Sequence, residues 1–193
     1  MPAGSALGCE TLGTRITSIF LEGIFLQGLP TEGQTRYNEG NAMIHQLDHS
    51  FVVEACISDV WRFLWTVEAV ARCIPGCEHV SVLEDNKYYA AQIKKKMGPF
   101  AVAIHLDVEV IDARPPNFLS VSIKGSDRRL RSEVTQMISL QLTPTGESTQ
   151  LDIRGEFSLT GLLGSLNKNL IVGQVSQVLD EFSSTLRESI LDS

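Results

Sequence analysis

The sequence lacks an excess of positive charge and a long uninterrupted apolar run. Its 16 lysines and arginines face 23 acidic residues, which gives a formal net charge of −7 at pH 7. Non-specific nucleic-acid binding needs a basic face, so no nucleic-acid partner is expected. No apolar stretch reaches the roughly 20 residues that a membrane-spanning helix needs. With 193 residues, one domain with a sizeable core is the default.

Cysteine is also scarce, and only Cys73 and Cys77 of the four are close together. With no convincing secretory signal, a reducing cytoplasmic location is the expectation. The two cysteines flank Ile-Pro-Gly, and His79 follows two residues after Cys77. A metal site would want more ligands, so the sequence favours a shaped helix-to-strand corner with two small thiols. Neither a metal nor a cofactor is expected.

Residues 1–42 contain many Gly, Ser and Thr residues and show no strand alternation. The apolar stretch Ile16–Leu29 is interrupted by Glu22 and two glycines. We interpret residues 1–42 as a poorly ordered extension, for which an upstream start codon is one explanation. An amphipathic contact with a membrane or a partner is the alternative. Met43 then begins the domain proper, residues 43–193.

The domain opens with a strand and two short helices. His45–Val53 alternates, with Leu47, Phe51 and Val53 on one side, which is typical of a half-buried strand. Ser58 is the predicted cap of a first helix and Thr66 that of a second helix over Val67–Ile74. Pro75–Gly76 breaks the second helix, and Cys77–Leu83 is predicted to be extended.

Five further runs alternate with period two, which predicts an antiparallel sheet with one wet and one dry face. The runs are Tyr89–Ile93, Phe100–Val110, Leu119–Ile123, Leu130–Leu142 and Leu151–Leu159. A closing helix is predicted over Leu162–Leu191, where apolar residues recur every three or four positions. The expected fold is therefore α+β, with a curved antiparallel sheet wrapped around a long C-terminal helix. Such a sheet tends to leave a cavity for an apolar ligand.

This order of elements resembles the helix-grip superfamily of START lipid-transfer domains and polyketide cyclases. Two blocks narrow the likeness: Cys73–Glu78 reads CIPGCE, and Gly98–Phe100 reads GPF at the end of a strand. They resemble the G-subunit family of carbon monoxide dehydrogenase, and the likeness extends from Met43 to the C-terminus. The chain departs from that family at Lys94–Lys96 and at the basic loop Asp127–Arg131.

The resemblance implies a cytoplasmic protein that associates with the inner face of the membrane. It further implies a link to molybdenum hydroxylases, either in recruiting them or in connecting them to the quinone pool. The expected guest is an apolar small molecule, a lipid or a quinone. Nine residues are predicted to hold it: Ile74, Phe100, Val102, Ile104, Val121, Ile138, Phe157, Leu163 and Leu170.

No catalytic residue is predicted. The four histidines do not cluster in the sequence, and the dry face is expected to be almost free of titratable groups, whereas acid–base catalysis needs one in the cavity. The sequence therefore favours a non-catalytic accessory protein. Two alternatives stay open: an enzyme of the polyketide-cyclase kind, and a protein–protein adaptor without a ligand. Lys94–Lys96 with Arg128, Arg129 and Arg131 could form a basic patch for anionic lipid headgroups, or be solvated surface.

Overall fold

An antiparallel sheet and a long C-terminal helix dominate the computed structural model, which describes residues 37–38, 42–97 and 100–191. Most of the predicted extension, residues 1–42, lies outside the described residues. The strands are β1 (Tyr37–Asn38), β2 (Ala42–Val53), β3 (Cys77–Glu84), β4 (Tyr88–Met97), β5 (Phe100–Arg114), β6 (Phe118–Asp127), β7 (Ser132–Thr145) and β8 (Ser148–Leu159). Every predicted strand is present, so the expected meander is confirmed.

The sheet order is β1-β2-β8-β7-β6-β5-β4-β3, and every neighbouring pair is antiparallel. The strands from β3 to β8 follow one another as hairpins, because short turns can join antiparallel neighbours. The turn between β3 and β4 uses Asn86, whose φ of 59° suits a residue that tolerates the left-handed region. Among the described strands, only the pairing of β2 with β8 joins strands that are distant in sequence.

The side chains that alternate inward form the main core. Phe51 pairs with Leu151, which pairs with Leu142, and all three are buried. They belong to a first apolar cluster with Val53 and the short helices. A second cluster holds Val134, Phe157, Leu159 and Ile171. The inner face is thus packed as two clusters rather than one.

The helices are α1 (Ile57–Leu64), α2 (Val67–Cys73), α3 (Gly161–Gly164) and α4 (Lys168–Leu191). The prediction that Ser58 caps the first helix is wrong. Cys56 holds that position, because the N–H groups of Asp59 and Val60 already donate to the Cys56 carbonyl oxygen. Thr66 is the N-cap residue of α2, although its side chain makes no capping bond.

The closing helix is interrupted, whereas the sequence predicted one helix over Leu162–Leu191. Ser165 Oγ donates to the Leu162 carbonyl oxygen at 2.7 Å, which helps to end α3. The N–H of Asn169 then donates to Asn167 Oδ1 at 2.8 Å, which caps the start of α4. The 24 residues of α4 are about 36 Å long. Among the described helices, none has the length and hydrophobicity needed to cross a bilayer.

The long helix α4 lies across the inner face of the sheet and covers some strands more than others. It packs against α2 and α1, and among the described strands it approaches β2 most closely. Arg187 Nε near its end donates to the Val52 carbonyl oxygen of β2 at 2.8 Å. The strands on the far side, β3 to β6, therefore receive less cover from the helix.

Candidate functional site

The Cys73–Glu78 block forms a corner that locks the end of α2 to β4. Gly76 has a φ of 82°, and its carbonyl oxygen accepts the Lys94 N–H at 2.8 Å. A Cβ at Gly76 would lie 2.3 Å from the Lys94 carbonyl oxygen, so only glycine fits. The side chain of Glu78 also binds Lys94, with 2.6 Å between Oε2 and Nζ. The motif therefore positions the lysine run.

The two cysteines of the corner are free thiols. Cys73 is 1% exposed, and its Sγ donates to the Ala69 carbonyl oxygen at 3.4 Å. Burial raises the pKa of both the Cys73 and the Cys77 thiol, which disfavours the reactive thiolate. No group of three or more metal-ligand side chains occurs within the part of the chain that the structure describes.

The basic loop after β6 is organised by a buried carboxylate. Asp127 is 2% exposed and accepts the N–H groups of Ala103, Arg129 and Leu130 at 2.8 to 3.2 Å. Burial acts to raise the pKa of Asp127, but these bonds and the charge of Arg129 outweigh it and lower the pKa. Arg129 Nη2 in turn donates to the Ala101 carbonyl oxygen at 3.0 Å. The loop is thus held against the start of β5.

This arrangement brings part of the predicted basic patch together. Lys94–Lys96, Ala101–Ala103 and Arg129 line one surface depression of about 380 Å³, which we call the basic depression. Arg128 and Arg131 are exposed on the same loop but do not line it. Lys94 and Lys96 alternate outward, whereas Lys95 shares the inner side with Val102. The basic depression therefore lies where β4 ends and β5 begins, next to the inner face of the sheet.

A second depression, of about 410 Å³, lies elsewhere. The side chains of Gln46, Asp48, Met137, Arg154 and Glu156 line it on the outer face of β2, β8 and β7. It is open and contains none of the nine predicted ligand-binding residues. The size of a surface concavity alone therefore does not locate the predicted site.

The nine predicted ligand-binding residues are spread over the inner face and its rim. Val102, Phe157 and Leu163 are buried, whereas Ile74, Ile104, Val121, Ile138 and Leu170 are half-buried. Ile104 packs against the second cluster with Phe157, and Val121 pairs with Ile138 against the first. The side chain of Phe100 lies outside the described residues. Their role in binding stays a prediction.

Four inward side chains that the prediction missed belong to neither cluster. Each is apolar and only half-buried, so the inner face is incompletely covered at these positions. The four residues are Ile93, Leu106, Val108 and Ile123. They lie on neighbouring strands, because Ile123 pairs with Val108, and Ile93 with Ile104. Their alternation was visible in the sequence, but their incomplete cover was not.

The inner face is not free of titratable groups, so that prediction is wrong. His45 and His49 share the parity of Leu47 and Phe51 on β2 and therefore face inward. Lys95 faces inward from β4. The Nε2 atoms of both histidines and Nζ of Lys95 are buried, and none of them has a hydrogen-bond partner among the residues that the structure describes. Parity alone could have revealed this, since both histidines lie two residues from Leu47.

His45 is held firmly and kept neutral. It is 4% exposed, and its ring stacks on Phe157 with centroids 4.9 Å apart and planes at 18°. Desolvation by burial, and then the charge of Lys168, lower the pKa of His45 below 6.5. The ring of His49 lies 5.6 Å from Phe51 at 45°. Lys95 has a counter-ion, since its Nζ lies 4.0 Å from Glu181 Oε2 on α4.

The fold is that of START-like helix-grip proteins. A conserved protein from Geobacillus kaustophilus matches with a TM-score of 0.72 and 19% identity, over 77% of this chain and 97% of that chain. A START superfamily protein from Mycobacterium smegmatis matches with a TM-score of 0.61 and 12% identity, over 77% and 98%. The aromatase/cyclase ZhuI from Streptomyces sp. R1128 matches with 0.53 and 17%, over 77% and 92%. The expected fold class is confirmed.

Within this class, the chain belongs to the CoxG family, the G-subunit family of carbon monoxide dehydrogenase. The family profile matches residues 37–191. The resemblance inferred from the CIPGCE and GPF blocks is therefore confirmed. A search of curated protein sequences found no match.

Proposed function

We propose that this protein is a non-catalytic accessory protein that holds an apolar ligand, a lipid or a quinone, between its sheet and α4. The observation that carries the proposal is the half-buried wall of Ile93, Leu106, Val108 and Ile123. Apolar surface gains about 2.5 kcal/mol for each 100 Å² removed from water. Binding a guest that covers this wall is therefore favourable. The fully packed residues of the clusters have no exposed apolar surface left for a guest to cover.

Native mass spectrometry after incubation with a lipid extract and with quinones tests the binding. Ile123→Trp fills the space beside the wall, and we expect it to abolish the bound mass. Lys124→Trp is the matched control, because Lys124 is exposed on the opposite side of the same strand. A wild-type protein that takes up no apolar molecule, with a crystal structure showing a filled interior, would refute ligand binding and favour an adaptor role.

The same proposal assigns membrane contact to the basic depression. Lys96 and Arg129 make no ion pair with a described residue and present their charges to solvent. A basic side chain near an anionic bilayer contributes about 1 kcal/mol. The basic depression lies beside the inner face of the sheet. A guest that leaves the bilayer there would enter the space between the sheet and α4 without crossing the outer face.

Vesicle sedimentation tests the contact. We expect the protein to bind vesicles with a third of anionic lipid and not neutral vesicles, with weaker binding as salt increases. The double variant Lys96→Glu, Arg129→Glu should lose binding. Lys87→Glu, Arg154→Glu makes the same charge change at two exposed sites that do not line the basic depression and should lose much less. Equal loss in both variants would mean that net charge alone governs adhesion.

Recruitment of a molybdenum hydroxylase is the finer part of the proposal, and family membership supports it. The expected result is that a carbon monoxide dehydrogenase-type hydroxylase sediments with anionic vesicles only when this protein is present. Pulldown with the purified hydroxylase is the direct assay. No association in either assay would remove this part and leave ligand binding untouched.

An enzyme of the cyclase kind is the second candidate, and the buried His45 and His49 favour it. A neutral imidazole can act as a general base when a substrate proton lies within hydrogen-bond reach. Recovery of the guest separates the two candidates. We expect the released molecule to have an unchanged mass and retention time after prolonged incubation; a converted product that disappears in His45→Phe would establish catalysis instead.

A further inference from the structure

On β2, His45 is buried and His49 is half-buried, and each carries one buried ring nitrogen without a hydrogen bond. Neither Nε2 atom has a hydrogen-bond partner in the part of the chain that the structure describes. An unpaired buried polar group destabilises a fold by about 1–3 kcal/mol. Buried polar groups in folded proteins are nearly always paired, so two on one face of one strand need an explanation.

The second cluster connects His45 to the half-buried wall, because Ile104 packs against that cluster and pairs with Ile93 of the wall. His45 stacks on Phe157 of the second cluster, and His49 contacts Phe51 of the first. The two residues lie four positions apart on one strand, which places them about 13 Å from each other. They therefore mark the boundary between the two clusters, where the core is not continuous.

We propose that His45 and His49 are the polar anchors of the ligand site and bind the carbonyl or hydroxyl oxygens of an otherwise apolar guest. This inference rests on the proposed function. A neutral imidazole presents at Nε2 either an N–H donor or a lone pair. It therefore pairs with a carbonyl oxygen in one tautomer and with a hydroxyl group in the other.

The guest that fits is an uncharged oxygen-bearing molecule rather than a hydrocarbon or an anion. A hydrocarbon would leave both Nε2 atoms unpaired. An anion would need a free buried cation, and the inward Lys95 already faces Glu181 at 4.0 Å. A shift of α4 or of its N-terminal turns would expose the two rings, since α4 is the element that lies over β2.

The test compares two probes with the same carbon skeleton, a methylnaphthoquinone with two carbonyl oxygens and the matching methylnaphthalene with none. We expect wild type to bind the quinone about tenfold more tightly, the ratio that one net hydrogen bond supplies. The double variant His45→Phe, His49→Phe keeps the ring contacts and removes the nitrogens. It should bind both probes with the affinity that wild type shows for the hydrocarbon.

The control is His79→Phe, His105→Phe, because both of these histidines are exposed. It should keep the wild-type preference for the quinone. Equal binding of the two probes by wild type would overturn the anchor role while leaving apolar ligand binding intact. The anchor role would also be overturned if the variant His45→Phe, His49→Phe kept the wild-type preference for the quinone. If neither probe binds wild type, the anchor role fails, whereas the proposed function fails only if native mass spectrometry also finds no bound lipid or quinone.

Discussion

The two halves of the sheet bury their inner faces to different degrees. In the closed half, strands β2, β8 and β7, the inward side chains of Val53, Leu151 and Leu142 are 0% exposed. In the open half, strands β3 to β6, most inward apolar side chains are half-buried, and Val82 at the edge is 44% exposed. Hydrophobic residue types line both halves, so cover rather than composition makes the difference.

The cause is the placement of the covering helices. The long helix α4 approaches β2, and α1 packs on β7 and β8. One helix is about 10 Å wide and cannot cover eight strands. The half that the helices reach is a core, and the half that they leave is a candidate binding surface. The comparison teaches that one continuous sheet can supply both stability and function.

The largest expected effect comes from truncating a leucine in each half. Leu142→Ala in the closed half should destabilise the protein by about 2–5 kcal/mol, because it leaves a cavity in a packed region. Leu106→Ala in the open half should reduce stability by about 1 kcal/mol, since its surroundings are already incomplete. Urea unfolding of both variants measures the difference. Equal losses would break the distinction between the halves.

A methyl group added at an inner-face glycine should show the same contrast. In Gly155→Ala the new Cβ would lie 2.2 Å from the Met137 carbonyl oxygen, which is backbone and cannot move freely. We expect a loss of about 2–3 kcal/mol. In Gly125→Ala the nearest atoms are the side-chain ends of Leu106 and Ile104, at 2.5 and 2.7 Å.

Because both side chains are only half-buried and their ends are easier to displace than backbone, Gly125→Ala should reduce stability by under about 1 kcal/mol. Thermal unfolding of the two variants is the measurement. A larger loss for Gly125→Ala than for Gly155→Ala would show that the open half is as tightly packed as the closed one.

The pH dependence of stability should identify the buried histidine of the closed half. His45 has a lowered pKa in the folded state, so below about pH 6.5 the unfolded chain binds a proton that the folded chain resists. Stability should therefore decrease as the pH falls from 7.5 to about 5. His45→Phe should remove part of this decrease and stabilise the free protein by about 1 kcal/mol.

Urea unfolding at several pH values measures the effect of His45→Phe. His79→Phe is the control, because it makes the same replacement at an exposed position. A pH profile of His45→Phe identical to that of wild type would mean that this histidine is not the group that resists protonation.

The smallest effect is expected at the edge of the open half. Glu78 and Lys94 form an ion pair whose side chains are 41% and 52% exposed. Exposed pairs contribute little, so Glu78→Gln should alter stability by under about 0.5 kcal/mol. The same variant frees Lys94 and should strengthen binding to anionic vesicles. A large loss of stability instead would mean that the corner depends on this pair rather than on Gly76.

Much of the fold was predictable because alternation and turn chemistry are local properties. The runs through Leu119–Ile123 and Leu151–Leu159 appear as strands, and Pro75–Gly76 forms the corner. The break before α4 was missed, because Leu163, Leu166 and Leu170 keep a helical spacing across it. The capping bond of Asn167 decides that break, and apolar spacing does not report it.

The candidate site was less predictable. Parity correctly put Val121 and Ile138 on the inner face, where they pair. It also puts His45 and His49 there, each two residues from Leu47, although neither was named among the predicted inward residues. Lys95 lies in a run of three lysines that suggested uniform exposure, although alternation turns the middle one inward. In each case the position along the strand, and not the residue type, decides which side of the sheet the side chain faces.

By itself, the sequence determined the strands, the glycine corner and the family, because each depends on neighbouring residues or on short motifs. Only the tertiary structure decided which inner side chains are covered, since that depends on where α4 lies across strands far apart in the chain. It also decided that the Nε2 atoms of two imidazoles are buried and have no hydrogen-bond partner among the described residues. Burial depends on how the sheet and the helices pack together, so a pattern of neighbouring residues does not predict it.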